Sequence, residues 1–171
     1  ITGEVTNTLM TASSSTNIWV FPWTVSTTTS GIVFASVSVS TGGNTIIDNE
    51  NIIFTIDNTA PTVTLTDTDA NNIVTGSNVV TITATFSEAM AVTPTINITG
   101  EVSNVAMTAS STADVWIYPW TVSTTTSGIV SATIAGTDLS GNACAGTTSI
   151  TFTIDNTSPT LISFVELIDE T

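Results

Sequence analysis

No lysine, arginine or histidine occurs anywhere in this chain of 171 residues. With 14 acidic residues the formal net charge is −14, and the only cation available for a salt bridge is the amino terminus. Nucleic acid and anionic lipid are held through Lys and Arg, so nucleic-acid binding is excluded and metal cations are the ions this surface attracts. The nucleophile–base pairs of hydrolases and transferases need His, Lys or an activated Cys. A carboxylate pair of the glycosidase kind remains open to composition, but no two acids fall where neighbouring strands would form a cleft. The sequence is therefore not expected to be an enzyme. Cys144 is the only cysteine, which rules out an intrachain disulfide. Ile46 stands at its counterpart position, so Cys144 reads as a small buried apolar residue. No apolar run approaches the ~20 residues of a membrane-spanning helix, and no direct membrane insertion is expected. The chain opens on Ile1 without a signal-peptide pattern and reads as a piece of a longer polypeptide.

Hydrophobic residues make up 41% of the chain and charged residues 8%. That balance favours a packed core, because disorder requires low hydrophobicity. Polarity comes from Thr, Ser and Asn, which suit strand faces and turns. The most informative feature is repetition. "WVFPWTVSTTTSG" (Trp19–Gly31) returns as "WIYPWTVSTTTSG" (Trp116–Gly128), and Ile1–Ile32 matches Ile98–Ile129 at 23 of 32 positions. "FTIDNT" recurs at Phe54 and Phe152, 98 residues apart. The implied organisation is the C-terminal part of one repeat over 1–58, a complete repeat over 59–156, and the first strand of a following repeat over 157–171.

Within the complete repeat the period is two rather than 3.6. Val80, Ile82, Ala84 and Phe86 alternate with threonines, as do Ile150, Phe152 and Ile154. Further strands read at Thr62–Thr66, Pro94–Thr99, Val102–Met107, Asp114–Val122 and around Val130–Ile134. About seven short strands in ~100 residues, separated by Gly, Asn, Ser and Asp clusters, predict an all-β fold of tandem immunoglobulin-like antiparallel β-sandwich repeats.

"ATFSEAM" (Ala84–Met90), "INITGEVSN" (Ile96–Asn104), "VWIYPWTVSTTTSGIVSATIAGTDLSGN" (Val115–Asn142) and "FTIDNTSPT" (Phe152–Thr160) resemble the bacterial Ig-like repeats of large cell-surface adhesins. The "FSE" and "TDLSGN" pieces carry most of that likeness. Copy one departs at the latter, reading "STGGN" over Ser40–Asn44. In style of composition the chain is similar to the gliding or attachment adhesins of Bacteroidetes. The resemblance implies an extracellular stalk or spacer on a bacterial cell surface. Its partners would be neighbouring repeats of the same chain, with surface glycans or other cells at the adhesive end.

Three sets of residues are candidates for more than folding. Trp116, Tyr118 and Trp120 alternate on one strand face, as do Trp19, Phe21 and Trp23. They form either a sugar-stacking platform or part of the sandwich core, and inward alternation favours the core. Val115 and Ile117 make the opposite face apolar too, and Pro119 and Pro22 imply an edge or a bulge. In an Ig-like sandwich the loops bearing Glu88, Asp138 and Asn142 share one end, which would face Asp57 and Asn58 of the preceding repeat. Oxygen donors without a cation nearby suit Ca²⁺, while the competing role is capping of turns. Asp67 and Asp69 in "TDTDANN" form a weaker acidic cluster, expected at the opposite end. Two sequons, Asn97-Ile98-Thr99 and Asn156-Thr157-Ser158, complete the inventory.

The resulting expectation is a structural segment extending an adhesive region from the cell. The alternatives are a carbohydrate-binding module of a secreted hydrolase, and a filament subunit in which Thr157–Thr171 completes another chain's sandwich by strand addition.

Overall fold

The computed structural model describes residues 1–41, 43–47, 51–145 and 149–163, and every regular element in it is a strand. Two compact units divide the chain, Ile1–Thr59 and Ala60–Thr171.

The first unit contains β1 (Thr11–Ala12), β2 (Trp19–Val20), β3 (Gly31–Ala35), β4 (Ser38–Thr41), β5 (Asn44–Ile47) and β6 (Ile52–Ile56). They form three antiparallel pairs: β1 with β2, β3 with β6 and β4 with β5. Val33 and Ile56 are buried, but Trp19, Val20, Val25, Ile52 and Phe54 are exposed.

The second unit contains β7 (Val63–Asp67), β8 (Ile73–Val74), β9 (Val79–Phe86), β10 (Thr95–Ile98), β11 (Val102–Ala106), β12 (Thr108–Ala109), β13 (Val115–Thr121), β14 (Gly128–Ala135) and β15 (Ser149–Ile154). One sheet has the order β12-β13-β9-β7 and is antiparallel throughout. The other has the order β11-β10-β14-β15-β8, with its single parallel pair, β15 with β8, at one edge. Alternation dictates the burial: Val80, Ile82, Ala84 and Phe86 are buried on β9 while the threonines between them are not. Val63 and Leu65, Trp120, Ile96 and Ile98, Val130 and Ala132, and Phe152 and Ile154 complete the same cluster from both sheets. The Trp120 ring on β13 meets Phe152 on β15 with centroids 5.3 Å apart, joining the two layers. The arrangement is all-β, two-layered and consistent with a β-sandwich.

The seven strands read from periodicity are all present. Two more, β8 and β12, have two residues each and are too short to show a period. Of the segment expected to open a following repeat, 157–163 carry no strand assignment, and the positions matching β7 run on into 164–171, outside the described residues. Cys144 is half-buried against the core, as a small apolar residue would be, and burial pushes its thiol up. The side chain of its counterpart Ile46 lies outside the described residues.

Candidate functional site

The three aromatics of β13 turn toward the core. Trp120 is 1% exposed, and Trp116 and Tyr118 are half-buried against the same cluster. β13 runs beside β9 with Trp116 opposite Ala84, Tyr118 opposite Ile82 and Trp120 opposite Val80. A ring as buried as Trp120 offers no face for sugar stacking. The short β12 covers only Ile117 and Trp116, so Pro119 lies on a stretch with a strand neighbour on one side, where its missing N–H is tolerated.

The loop that follows is held by residues that the sequence reading did not single out. Glu101, from "ITGEV", accepts the Ser123 backbone N–H at 2.9 Å through Oε2. Asn156, from "IDNT", donates its amide N–H groups to the Ser123 carbonyl at 3.0 Å and to the Thr126 carbonyl. Its Oδ1 accepts the Gly76 N–H at 2.6 Å. Ser123 Oγ also accepts from Thr125 N at 3.1 Å. Gly76 is required by this close approach, since a Cβ there would lie 2.6 Å from Thr124 Cα and 3.0 Å from Asn156 Oδ1.

The first unit repeats the clasp. Glu4 Oε2 accepts from Ser26 N at 2.9 Å, and Asn58 donates to the Ser26 carbonyl at 3.0 Å and to the Thr29 carbonyl. The Thr29 hydroxyl, the Ser26 N–H and the Trp23 indole beside Glu4 hold its carboxyl below the ordinary value, against the upward push of burial. The signal for these residues was in the sequence: Glu4 and Glu101, Asn58 and Asn156, and the serines they bind are identical between copies. Asn156 also shows why its sequon is a poor acceptor, because both carbonyl contacts use the amide nitrogen that a glycan would occupy. Asn97 is half-buried on β10.

Glu88 and Asp138 do come together. Met90 bridges Asp138, and Ala91 N donates to the Thr137 carbonyl at 2.9 Å, tying the loop after β9 to the loop after β14. One carboxylate oxygen of Glu88 lies within 4.8 Å of one of Asp138. Asp138 is fully buried and heavily committed: Oδ1 accepts from Ser140 N and Asn142 N at 2.8 Å each, and Oδ2 accepts from the Asn142 side-chain amide at 2.9 Å. Burial pushes its carboxyl up, but the Asn142 amide and the backbone N–H groups of Asn142, Ser140 and Gly141 outweigh that and leave it below the ordinary value. Asp138 thus caps its own turn through the Ser140 and Asn142 N–H groups. In the first unit Asp57 follows β6, with Oδ1 accepting from Thr59 N at 3.0 Å. The Asn58 amide belongs to the clasp. The loop of copy one that replaces "TDLSGN" includes Gly42, outside the described residues.

Asp67 lies at the other end of β7 from Val63, which pairs with Phe86 near the Glu88 loop. Asp67 Oδ1 accepts from Asp69 N, Asp69 Oδ1 from Asn71 N, and Asn71 Oδ1 from Ile73 N, at 2.8, 3.1 and 2.9 Å. Three side chains at alternate positions thus each cap the backbone two residues on and lead the chain into β8.

No model of a known protein family matches the chain, and no curated protein matches it.

Proposed function

We propose that this chain is a segment of a tandem Ig-like array that serves as a stalk or spacer in a large bacterial cell-surface adhesin. The observation that carries the reading is the fate of the repeated residues. Glu101, Ser123 and Asn156 form an internal clasp, and Trp120 packs on Phe152. What the two copies share is thereby spent on holding a folded unit, which is what a spacer has to preserve. Strand order adds support. The sheets β7-β9-β13-β12 and β10-β14-β15 have the A-B-E-D and C-F-G orders of an immunoglobulin-like sandwich, with β11 at the C′ position.

Under this reading the acidic surface keeps the array soluble and apart from anionic polymers. Calcium is carried as a further proposal, in which Glu88, Asp138 and Asn142 supply oxygen ligands and Asp138 shares its carboxylate with the three N–H donors of its turn.

The test is replacement in the cells that make the protein. Exchanging residues 60–157 for an unrelated all-β domain of similar length should leave attachment intact, and deleting them should weaken it. Loss of attachment in the exchanged protein, together with glycan binding by the isolated segment, would establish the carbohydrate-binding module instead.

A further inference from the structure

Charge is distributed unevenly over this molecule. Among the described strands only β7 carries an acidic residue, Asp67 at its last position. The other acids described in the second unit, Asp69, Glu88, Glu101, Asp114, Asp138 and Asp155, lie between strands or directly after β15. The outer face of the β11-β10-β14-β15-β8 sheet is therefore free of charge. Thr95 and Asn97, Ser131 and Thr133, and Thr151 and Thr153 alternate with the buried residues of β10, β14 and β15 and so point outward. Exposed sheets commonly carry charged side chains that keep other chains away, and this one has none. Two isoleucines stand on the face. Ile129 on β14 is 75% exposed and Ile73 on β8 is 57% exposed, and neither belongs to the core cluster. Both lie in one row with Thr153, which pairs with each of them. Two strand spacings set them about 10 Å apart. The first unit repeats part of this row: Ile32, identical to its counterpart Ile129, is 63% exposed and pairs with Thr55.

We propose that this face is a side-by-side contact for a second copy of the chain. The choice of partner follows from charge. Two copies at −14 each repel one another wherever their acids meet, so close approach is open only through a surface that bears none. A cationic partner gains nothing from such a face and is drawn to the acidic loops instead. The cores of protein interfaces are depleted in charge, and a face packed on its own copy about a two-fold axis is complementary to itself. Ile129 and Ile73 are the anchors, and the methyl groups of Thr151 and Thr153 fill the space around them. The contact is small. Five strands at ~4.8 Å spacing, over the eight residues of β14 at ~3.4 Å each, cover roughly 500 Å², below the about 800 Å² per partner of a stable pair. The pair is therefore weak, and salt strengthens it by screening the surrounding acids. Along an array such contacts add through effective concentration. That multiplication, unlike the contact itself, rests on the repeat organisation proposed above.

Sedimentation velocity on the whole chain, at concentrations up to about 1 mM and at low and high salt, tests the contact. The sedimentation coefficient should rise with concentration, and more steeply at high salt. Ile129→Glu should weaken the association at least about tenfold, since it sets like charges opposite one another across the contact. Val79→Glu adds the same charge to the other sheet, at a position 63% exposed, and should leave the association within about twofold of the parent. Both positions face solvent, so both variants should fold. Ile129→Thr should weaken the association in the same direction and takes the place of the glutamate variant if that one does not fold. A monomer at every concentration and salt would overturn the proposal, and so would equal weakening by Ile129→Glu and Val79→Glu. Loss in Val79→Glu alone would put the contact on the other sheet and overturn it as well. A monomer that a neutral polysaccharide retards in affinity electrophoresis, with Ile129→Glu running free, would make a glycan the occupant. A monomeric result would leave the spacer reading standing.

Discussion

The same thirteen-residue motif stands in two settings, and the contrast separates what is local in this fold from what depends on a neighbour. The clasp is local. Glu4 on Ser26 and Glu101 on Ser123 give the same 2.9 Å contact, and Asn58 and Asn156 reach their serine carbonyls at the same 3.0 Å. Core burial is not local. Trp23 meets Phe54 edge-on and Trp120 meets Phe152, both at 5.3 Å, yet only Trp120 and Phe152 are sealed from solvent. Back-half strands therefore set the geometry of the aromatic pair, and front-half strands supply the cover.

The largest expected effect follows from that cover. Trp120→Ala should destabilise the second unit by about 3–5 kcal/mol, the usual range for a buried Trp truncated to Ala. Trp23→Ala should cost the first unit markedly less, because its ring is only half-buried. Urea unfolding followed by far-UV circular dichroism would measure both. Equal losses would break the comparison.

The clasp should behave in the opposite way, with similar effects in both copies. Asn156→Ala and Asn58→Ala each remove two donors from loop carbonyls, a change worth about 1–3 kcal/mol where those carbonyls stay dry. The second copy should lose somewhat more, since Asn156 also accepts from Gly76 N. Gly76→Ala probes the same place from the other side, because its Cβ would press on Thr124 and Asn156. Urea midpoints for the three variants would show whether the clasp acts as a unit.

The smallest effect is on acid sensitivity. Thr157, through its hydroxyl and its N–H, holds the Asp155 carboxyl below the ordinary value, as Thr29, Ser26 and Trp23 do for Glu4. A carboxyl depressed in the folded state contributes stability that is present above its unfolded pKa of about 4 and is lost as pH falls through the folded value. Melting temperature should therefore drop below about pH 4, and the drop should be shallower in Asp155→Asn and Glu4→Gln. Identical acid profiles in wild type and variants would show that these contacts add nothing.

Strand positions were legible because apolar and polar residues alternate over Val80–Phe86, Val130–Ile134 and Ile150–Ile154. Burial of Trp120 was legible for the same reason. The clasp was visible only as identity between copies, since Glu101 meets Ser123 22 residues away and Asn156 meets it 33 away. Nothing in the local pattern of either segment announces its partner. For Asp138 the sequence offered two roles, and three N–H donors from its own turn bond the carboxylate.

The central claim is that the complete copy is a self-contained folded unit able to carry load. Single-molecule pulling on a polyprotein of residues 60–163 tests it most directly. The account predicts a sawtooth in which each rupture releases on the order of 30 nm, the length of one 98-residue period at ~3.4 Å per residue less its folded span. Smooth extension without ruptures would contradict it.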